Sequence, residues 1–236
     1  MVLTKRTRAP ICEIFQSIQG EGPNIGRKTI FIRFWGCNLR CRFDGKCCDT
    51  PYSVITKKGT KMYTPNKLIE NIKSYNTNLI TITGGEPMLY QKFIEDFMRK
   101  LSVAGWKGEV EIETNGTIVP ISYLYINCKF NISAKLKSSN QETKTYDERR
   151  INFDTLNTYP IQRSSYKFVY VDREDIYEIK TILANTKIKE VYLMPQGTTR
   201  KEIVKNSQKV VDICIENNWN FSPREHIIIW NNKKGV

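Results

Sequence analysis

Gly36-Cys-Asn-Leu-Arg-Cys-Arg-Phe-Asp-Gly-Lys-Cys-Cys-Asp-Thr50 is the stretch on which the reading of this chain turns. Cys37, Cys41 and Cys48 put three thiolates into one short loop, and thiolates are the ligands that soft metal centres take. Three thiolates on a four-iron cluster leave one iron open to a small molecule, as a catalytic zinc keeps an open position. A structural site is more often closed by four ligands. The stretch therefore reads as a reactive metal loop, with zinc as the alternative to be excluded. Cys47 stands beside Cys48 as a rival third ligand.

The rest of the composition fits that loop. Seven cysteines is an odd number, and four of them fall within residues 37–48, which argues for a reducing cytoplasm and metal binding over a disulfide framework. Cys12, Cys128 and Cys214 stand singly among apolar residues and read as core packing. So do Trp35, Trp106 and Trp219. With 40% hydrophobic and 26% charged residues, the 236-residue chain can build a real core. No run of about 18 apolar residues predicts a membrane span, and the basic start, Met1 to Arg8, has no apolar segment behind it to make a secretory signal. The net charge of +13 suggests anionic partners. Its lysines are spread out, and no nucleic-acid-binding spacing accompanies them, so direct nucleic-acid binding is not expected.

Short β-branched runs alternate with helical stretches. Strands are predicted over Thr29–Phe34, Leu79–Thr83, Glu109–Glu113, Asn127–Ser133, Lys167–Val171, Glu190–Met194 and Ile227–Trp230. Helices are predicted over Pro65–Ser74, Gln91–Ala104, Arg173–Asn185 and Thr199–Asn217. Thr64 before Pro65 is an N-cap signal, and Phe93, Phe97, Met98 and Leu101 give the second helix one apolar face. The alternation predicts an α/β fold with a mainly parallel sheet, organised as one domain over 1–236, with a polar loop or insertion at about 135–165. Chemistry gathers at the carboxyl ends of parallel strands. The cysteine loop, Gly84-Gly-Glu-Pro87, Thr114-Asn-Gly116 and Ser133-Ala-Lys135 each follow a predicted strand.

A three-cysteine loop followed by Gly-Gly-Glu-Pro resembles the radical S-adenosylmethionine superfamily. Glu13-Ile-Phe-Gln-Ser-Ile-Gln-Gly-Glu-Gly22, Phe31-Ile-Arg-Phe-Trp-Gly-Cys-Asn-Leu-Arg-Cys41, Cys48-Asp-Thr-Pro-Tyr52, Glu113-Thr-Asn-Gly-Thr117, Leu193-Met-Pro-Gln-Gly197 and the tail Trp230-Asn-Asn-Lys-Lys-Gly-Val236 are similar to the 7-carboxy-7-deazaguanine synthase family within it. The resemblance implies an abbreviated, partial TIM-type barrel. It also implies a lyase that turns 6-carboxy-5,6,7,8-tetrahydropterin into 7-carboxy-7-deazaguanine with loss of ammonia, as in queuosine-type or DNA-modification pathways. A 4Fe-4S cluster, S-adenosyl-L-methionine and Mg2+ are the implied cofactors. A flavodoxin or ferredoxin is the implied electron donor, and a homodimer the implied assembly. Another radical enzyme, such as a glycyl-radical activase, and a zinc-binding basic nucleic-acid module are the competing readings. The zinc module predicts a colourless protein, the cluster a brown one.

Carried over position by position, the resemblance makes Cys37, Cys41 and Cys48 the cluster ligands and Thr50 the magnesium ligand. Cys47, Asp49, Gly85, Glu86, Asn115, Ser133 and Lys135 fall on cofactor-binding positions. Ile18, Gln19, Gly20, Arg33, Thr83 and the terminal Val236 fall on substrate-binding positions. Gly84 and Gly85 are expected to let backbone approach the ligand, Glu86 to accept from its ammonium, and the backbone of residues 18–20 to read the pterin edge. A guanidinium fork at Arg33 suits a carboxylate, and a hydroxyl at Thr50 suits a hard ion. Two departures stand out: six residues separate Cys41 from Cys48 where two are usual, and Ala134 replaces the proline of a Ser-Pro-Lys. His226, the one histidine, reads as structural with a substrate neighbour as the alternative.

Overall fold

The computed structural model describes residues 7–43, 46–47, 50–57, 59–139, 149–231, 233 and 235–236. Its strands are β1 (Ala9–Ile18), β2 (Lys28–Phe34), β3 (Arg42–Phe43), β4 (Lys46–Cys47), β5 (Lys61–Tyr63), β6 (Leu79–Gly84), β7 (Glu109–Thr114), β8 (Cys128–Ile132), β9 (Ser164–Tyr170), β10 (Val191–Pro195) and β11 (Asn220–Phe221). Its helices are α1 (Pro65–Ile72), α2 (Gln91–Val103), α3 (Ser122–Asn127), α4 (Phe153–Leu156), α5 (Arg173–Asn185), α6 (Arg200–Asn217) and α7 (Glu225–Trp230). One nine-stranded sheet runs β11-β10-β9-β8-β7-β6-β2-β1-β5, parallel from β11 to β2 and antiparallel at β1 and β5. Its two ends do not pair, so the barrel is partial and stays open. β3 and β4 form a small ribbon within the cysteine loop.

The strands alternate strictly, and this builds two different faces. Ile30, Ile32, Ile80, Ile82, Val110, Ile112, Phe130 and Phe168 are buried on the outer face, where helices such as α2 pack with Phe93, Phe97 and Leu101. The inner face carries Thr81, Thr83, Glu111, Asn131, Ser165 and Lys167, all buried. Polar residues thus line the barrel where a closed eight-stranded barrel would be filled by branched apolar side chains.

The helix ends follow their sequence signals. Thr64 caps α1 by accepting from Lys67 N at 3.3 Å, with Pro65 at the first position. Asp172 and Asp175 form a capping box at α5, and Thr199 and Glu202 form another at α6.

The structure departs from the sequence expectations at four points. Ile227–Trp230 is the end of helix α7, not a strand. Its β-branched run favours a strand locally, but Arg224 takes a left-handed turn at φ 60 and turns the chain back. Arg200 then caps the new helix, donating to the carbonyls of Ile228 at 2.5 Å and Ile229 at 2.7 Å. β1, which sequence patterning did not single out, is the longest strand, and the cysteine loop therefore follows the second strand. Its side chains are half-buried on both faces from Cys12 onward, with a register shift near Ile11 and Glu13, so no clean period marks it. Cys12 itself is half-buried, not in the core, whereas Cys128 and Cys214 are buried as expected. Within 135–165, the described residues hold short helical turns at Lys137–Ser139 and Ile161–Arg163, α4, and the first residues of β9, so that part of the segment is not a plain loop.

The β2–β6 ladder continues beyond both strands. Gly85 N donates to Phe34 O at 3.1 Å, Glu86 N to Gly36 O at 2.8 Å, and Gly36 N to Ser53 O at 2.7 Å. Gly84 makes this closeness possible: at φ +141, a Cβ there would lie 2.1 Å from the Phe34 carbonyl oxygen. Gly84→Ala should therefore cost roughly 2–4 kcal/mol of stability, read from the denaturant midpoint. A loss under about 1 kcal/mol would show that the ladder tolerates a side chain here.

Candidate active site

One cavity of about 240 Å³ opens at the carboxyl ends of the parallel strands. The motif-bearing loops after β2, β6, β7 and β8 all reach it. Cys37 and Cys41 line it, with Thr50 and Gly85 beside them. Asn115, Ser133 and Lys135 line it as well, with Asn115 Nδ2 3.9 Å from Cys37 Sγ. Ile18, Gln19, Gly20, Arg33 and Thr83 line the side towards β1 and β6, and the terminal Val236 reaches the same cavity. The sequence-predicted residues that the structure describes thus converge from distant parts of the chain. Cys48 and Asp49 lie outside the described residues, and for Cys47 the backbone alone is described, in β4.

Glu86 is the exception. It is fully buried, does not line the cavity, and accepts from Met88 N at 3.0 Å, Thr114 Oγ1 at 2.8 Å and Asn115 N at 2.7 Å. Burial pushes its carboxyl up, against the pull of those donors. In this position it joins the loop after β6 to the loop after β7. Gly85 behaves similarly: a Cβ there would lie 2.2 Å from Gly36 O and 3.0 Å from Cys37 Cβ, so its bareness lets protein pack on protein. The expected reading of residues 18–20 through free backbone also changes. Gln19 N donates to Arg27 O and Gly26 N donates to Gln19 O, both at 2.8 Å, and Gly20 O accepts from Glu225 N at 2.9 Å.

The cysteine loop is held by polar contacts. Asn115 Nδ2 donates to Asn38 Oδ1 at 2.9 Å, and Asn38 Nδ2 to Thr117 Oγ1 at 2.7 Å. Leu39 N approaches Cys37 Sγ at 3.4 Å. Burial pushes the Cys37 thiol up to about 11, so a bound cation has to displace its proton. Two soft sulfur donors, Cys37 and Cys41, face the cavity. This donor set fits iron or zinc far better than a hard ion, and among the described residues no third His, Cys, Asp or Glu completes a metal group. Arg33 donates through Nε to Glu13 Oε2 at 3.0 Å, and Tyr52 donates its hydroxyl to the same oxygen at 2.8 Å. Thr50 precedes a short helical turn, yet its hydroxyl makes no capping bond. Lys135 Nζ donates to Ser133 Oγ at 2.8 Å.

A charge cluster is built into the cavity wall, and sequence reading missed Lys167 and Arg224 in it. Lys167 on β9 reaches Glu21 Oε2 at 2.7 Å and Glu113 Oε1 at 3.0 Å. Arg224 Nε reaches Glu21 Oε1 at 2.9 Å, and His226 Nε2 stands 4.0 Å from that oxygen. Thr83 Oγ1 donates to Glu113 Oε2 at 2.7 Å. Burial alone would raise the Glu21 carboxyl, but Lys167 and Arg224 outweigh it and hold it well below its ordinary range. For Lys167, burial works against the charge, and Glu113 and Glu21 overcome it, so the ammonium persists. His226 also occupies the space beside Gly20, where a Cβ would lie 2.3 Å from Nδ1. It is thus both a packing residue and part of the cavity wall. The usable sequence signal was Glu109-Val-Glu-Ile-Glu113: acids alternating with apolar residues on a strand that ends in a site motif point the acids towards the site.

These features define a radical S-adenosylmethionine fold: an open, mostly parallel barrel with a cysteine loop, a Gly-Gly-Glu-Pro turn and a cavity at the strands' carboxyl ends. The sequence profile of the Radical SAM superfamily matches residues 32–156. A 7-carboxy-7-deazaguanine synthase of Halobacterium salinarum is 32% identical over 94% of this chain and 90% of its own. One of Clostridium acetobutylicum is 31% identical over 96% and 98%. A crystal structure of QueE from Escherichia coli shares the fold, with a TM-score of 0.71 at 22% identity over 92% of this chain and 93% of that one. The chain belongs to the 7-carboxy-7-deazaguanine synthase family of the radical SAM superfamily. No helix among the described residues is long and apolar enough to cross a membrane.

Glu111, also buried in this cluster, gives a pH prediction. Burial and the neighbouring Glu113 charge push its carboxyl up to about 7 from an ordinary 4.5, against Asn24, Lys167 and Gln19. The folded state then binds more protons than the unfolded chain between those values, so stability falls as pH rises. Glu111→Gln lacks this proton. Relative to wild type it should gain stability as pH rises from 4.5 to about 7 in chemical denaturation. A difference that stays constant with pH would remove Glu111 as the cause.

Proposed function

We propose that this enzyme converts 6-carboxy-5,6,7,8-tetrahydropterin to 7-carboxy-7-deazaguanine with loss of ammonia. The observation that carries the proposal is the convergence of Gln19, Arg33, Thr83, Asn115, Lys135 and Val236 on the cavity that Cys37 and Cys41 line. These residues come from the β1–β2 connection, strands β2 and β6, the loops after β7 and β8, and residue 236. Nothing but a shared ligand site requires them in one place.

In this reading Cys37, Cys41 and Cys48 hold a 4Fe-4S cluster. When bound, the cluster and S-adenosylmethionine supply one-electron cleavage of a sulfonium and hence a hydrogen-abstracting radical. The chain's own residues bind, orient and shield. Ser133, Lys135, Asn115 and Gly85, which line the cavity, would hold S-adenosylmethionine. Arg33, already oriented by Glu13, offers its planar fork to the substrate carboxylate. Thr50 would offer a hydroxyl oxygen to Mg2+, a hard ion. Thr83 has its own proton committed to Glu113, which leaves its oxygen as an acceptor for the pterin. The Val236 carboxylate faces the amine edge. The buried Lys167–Glu21–Glu113 group keeps the floor beneath the substrate fixed, so little reorganisation is needed during reaction. The reading also calls for a one-electron donor of flavodoxin or ferredoxin type, and for a cytoplasmic homodimer.

The test is anaerobic turnover of the chain reconstituted with iron and sulfide, given reductant, Mg2+, S-adenosylmethionine and 6-carboxytetrahydropterin. The expected result is 7-carboxy-7-deazaguanine by mass spectrometry, with S-adenosylmethionine regenerated. A brown protein that cleaves S-adenosylmethionine and leaves the pterin untouched overturns the substrate. A colourless, zinc-loaded protein overturns the cofactor as well.

A further inference from the structure

The connection from β1 to β2, residues 19–27, folds into the open side of the barrel. Gln19 and Asn24 are buried within it. Its backbone closes on itself through the two 2.8 Å bonds between Gln19 and residues 26 and 27. Glu21 ties the closed loop to Lys167 and Arg224, and a second carboxylate, Glu111, ties it to β7. Gln19 Nε2 donates to Glu111 Oε1 at 2.7 Å, and Asn24 Nδ2 donates to Glu111 Oε2. Neither amide is free to turn over. Gln19 Oε1 accepts from Glu21 N at 3.3 Å, and Asn24 Oδ1 accepts from Arg27 Nη1 at 2.6 Å. Each amide therefore has only its NH2 to offer Glu111, and both oxygens of the carboxylate are needed.

Glu111 lies on the inner face of β7, fully buried, and does not line the cavity. Around it stand Glu113 on its own strand, Lys167 on β9, Tyr192 on β10, and Arg27 and Glu21 of the hairpin. Lys167 is committed to Glu21 and Glu113, so the carboxylate of Glu111 is left to the amides. Gln19 Nε2 also approaches Glu113 Oε1 at 3.4 Å, which couples the loop to the cavity floor.

We propose that Glu111 is a positioning residue: by gripping Gln19 and Asn24 at once, it sets the height of the 18–21 turn against the substrate end of the cavity. It touches no ligand and acts through Gln19. The link to the pterin rests on the function proposed above, whereas the grip on the turn rests on the hydrogen bonds alone.

At a pH above its raised value of about 7, where Glu111 is ionised, Glu111→Gln keeps the shape but offers one acceptor and one donor, so one hairpin amide meets a donor and is lost. Asn24→Ala removes one arm and leaves Glu111 and Gln19 paired, which keeps the proposal testable if the first variant folds poorly. The full-length chain and both variants are compared by hydrogen exchange with mass spectrometry over residues 19–27, and by the KM values of 6-carboxytetrahydropterin and S-adenosylmethionine. Exchange in this segment should quicken by roughly tenfold in Glu111→Gln, and less in Asn24→Ala. The KM of the pterin should rise by roughly tenfold while that of S-adenosylmethionine and kcat stay within about twofold. Unchanged exchange overturns the proposal, and so does quicker exchange with an unmoved pterin KM or with equal losses for both ligands. If wild type makes no product while the segment still loosens in Glu111→Gln, the grip is upheld and the substrate assignment fails.

Discussion

Much of this structure depends on one buried ammonium. Lys167 projects from β9 into the barrel and meets Glu21 of the β1–β2 hairpin and Glu113 of β7. The barrel is incomplete, so no ladder of hydrogen bonds joins β9 to the hairpin, and this ion pair supplies the connection. Glu21 extends it to Arg224, which also donates to Gly197 O at 2.8 Å. Arg224 starts α7, and beyond α7 the chain end reaches the cavity. Charges buried this way are not a large net source of stability compared with apolar packing. Once buried, however, each carboxylate requires its cation, and the chain has little choice about where the hairpin and the C-terminal segment go.

The second constraint is backbone closeness above the strands. The β2–β6 ladder runs on into the cysteine loop and the Gly-Gly-Glu-Pro turn, and Glu86 ties that turn to the loop after β7. Loops that would otherwise move independently are thus fixed to each other and to a rigid sheet. A catalytic site needs its groups held to within fractions of an ångström, and this arrangement provides it from glycine, one buried acid and asparagine contacts. The glycines serve packing between two protein loops as much as access for a ligand.

The sequence made the site's membership legible more readily than its mechanics. Motifs at strand ends placed Cys37, Asn115 and Ser133, the family resemblance added Arg33, Thr83 and Val236, and all of them line one cavity. The parallel strands were also readable, because β-branched runs between helical periods have few alternatives. β1 escaped because its side chains are half-covered on both faces, which blurs the two-residue period. The α7 error had a tertiary cause: Ile227-Ile-Ile-Trp favours a strand until Arg224 and Arg200 fix its ends. Lys167 and Glu111 were hidden for a different reason. An acid or lysine in an alternating strand ordinarily faces water, and only the curvature of the whole sheet turns that face inward.

The buried Lys167 joins β7, β9 and the hairpin. Chemical denaturation of Lys167→Met tests it most directly. Removing the ammonium leaves Glu21 and Glu113 buried without their shared cation, and a loss of about 3–5 kcal/mol in unfolding free energy is predicted. A loss below about 1 kcal/mol would contradict the account, because it would mean that the hairpin and barrel hold their places without this connection.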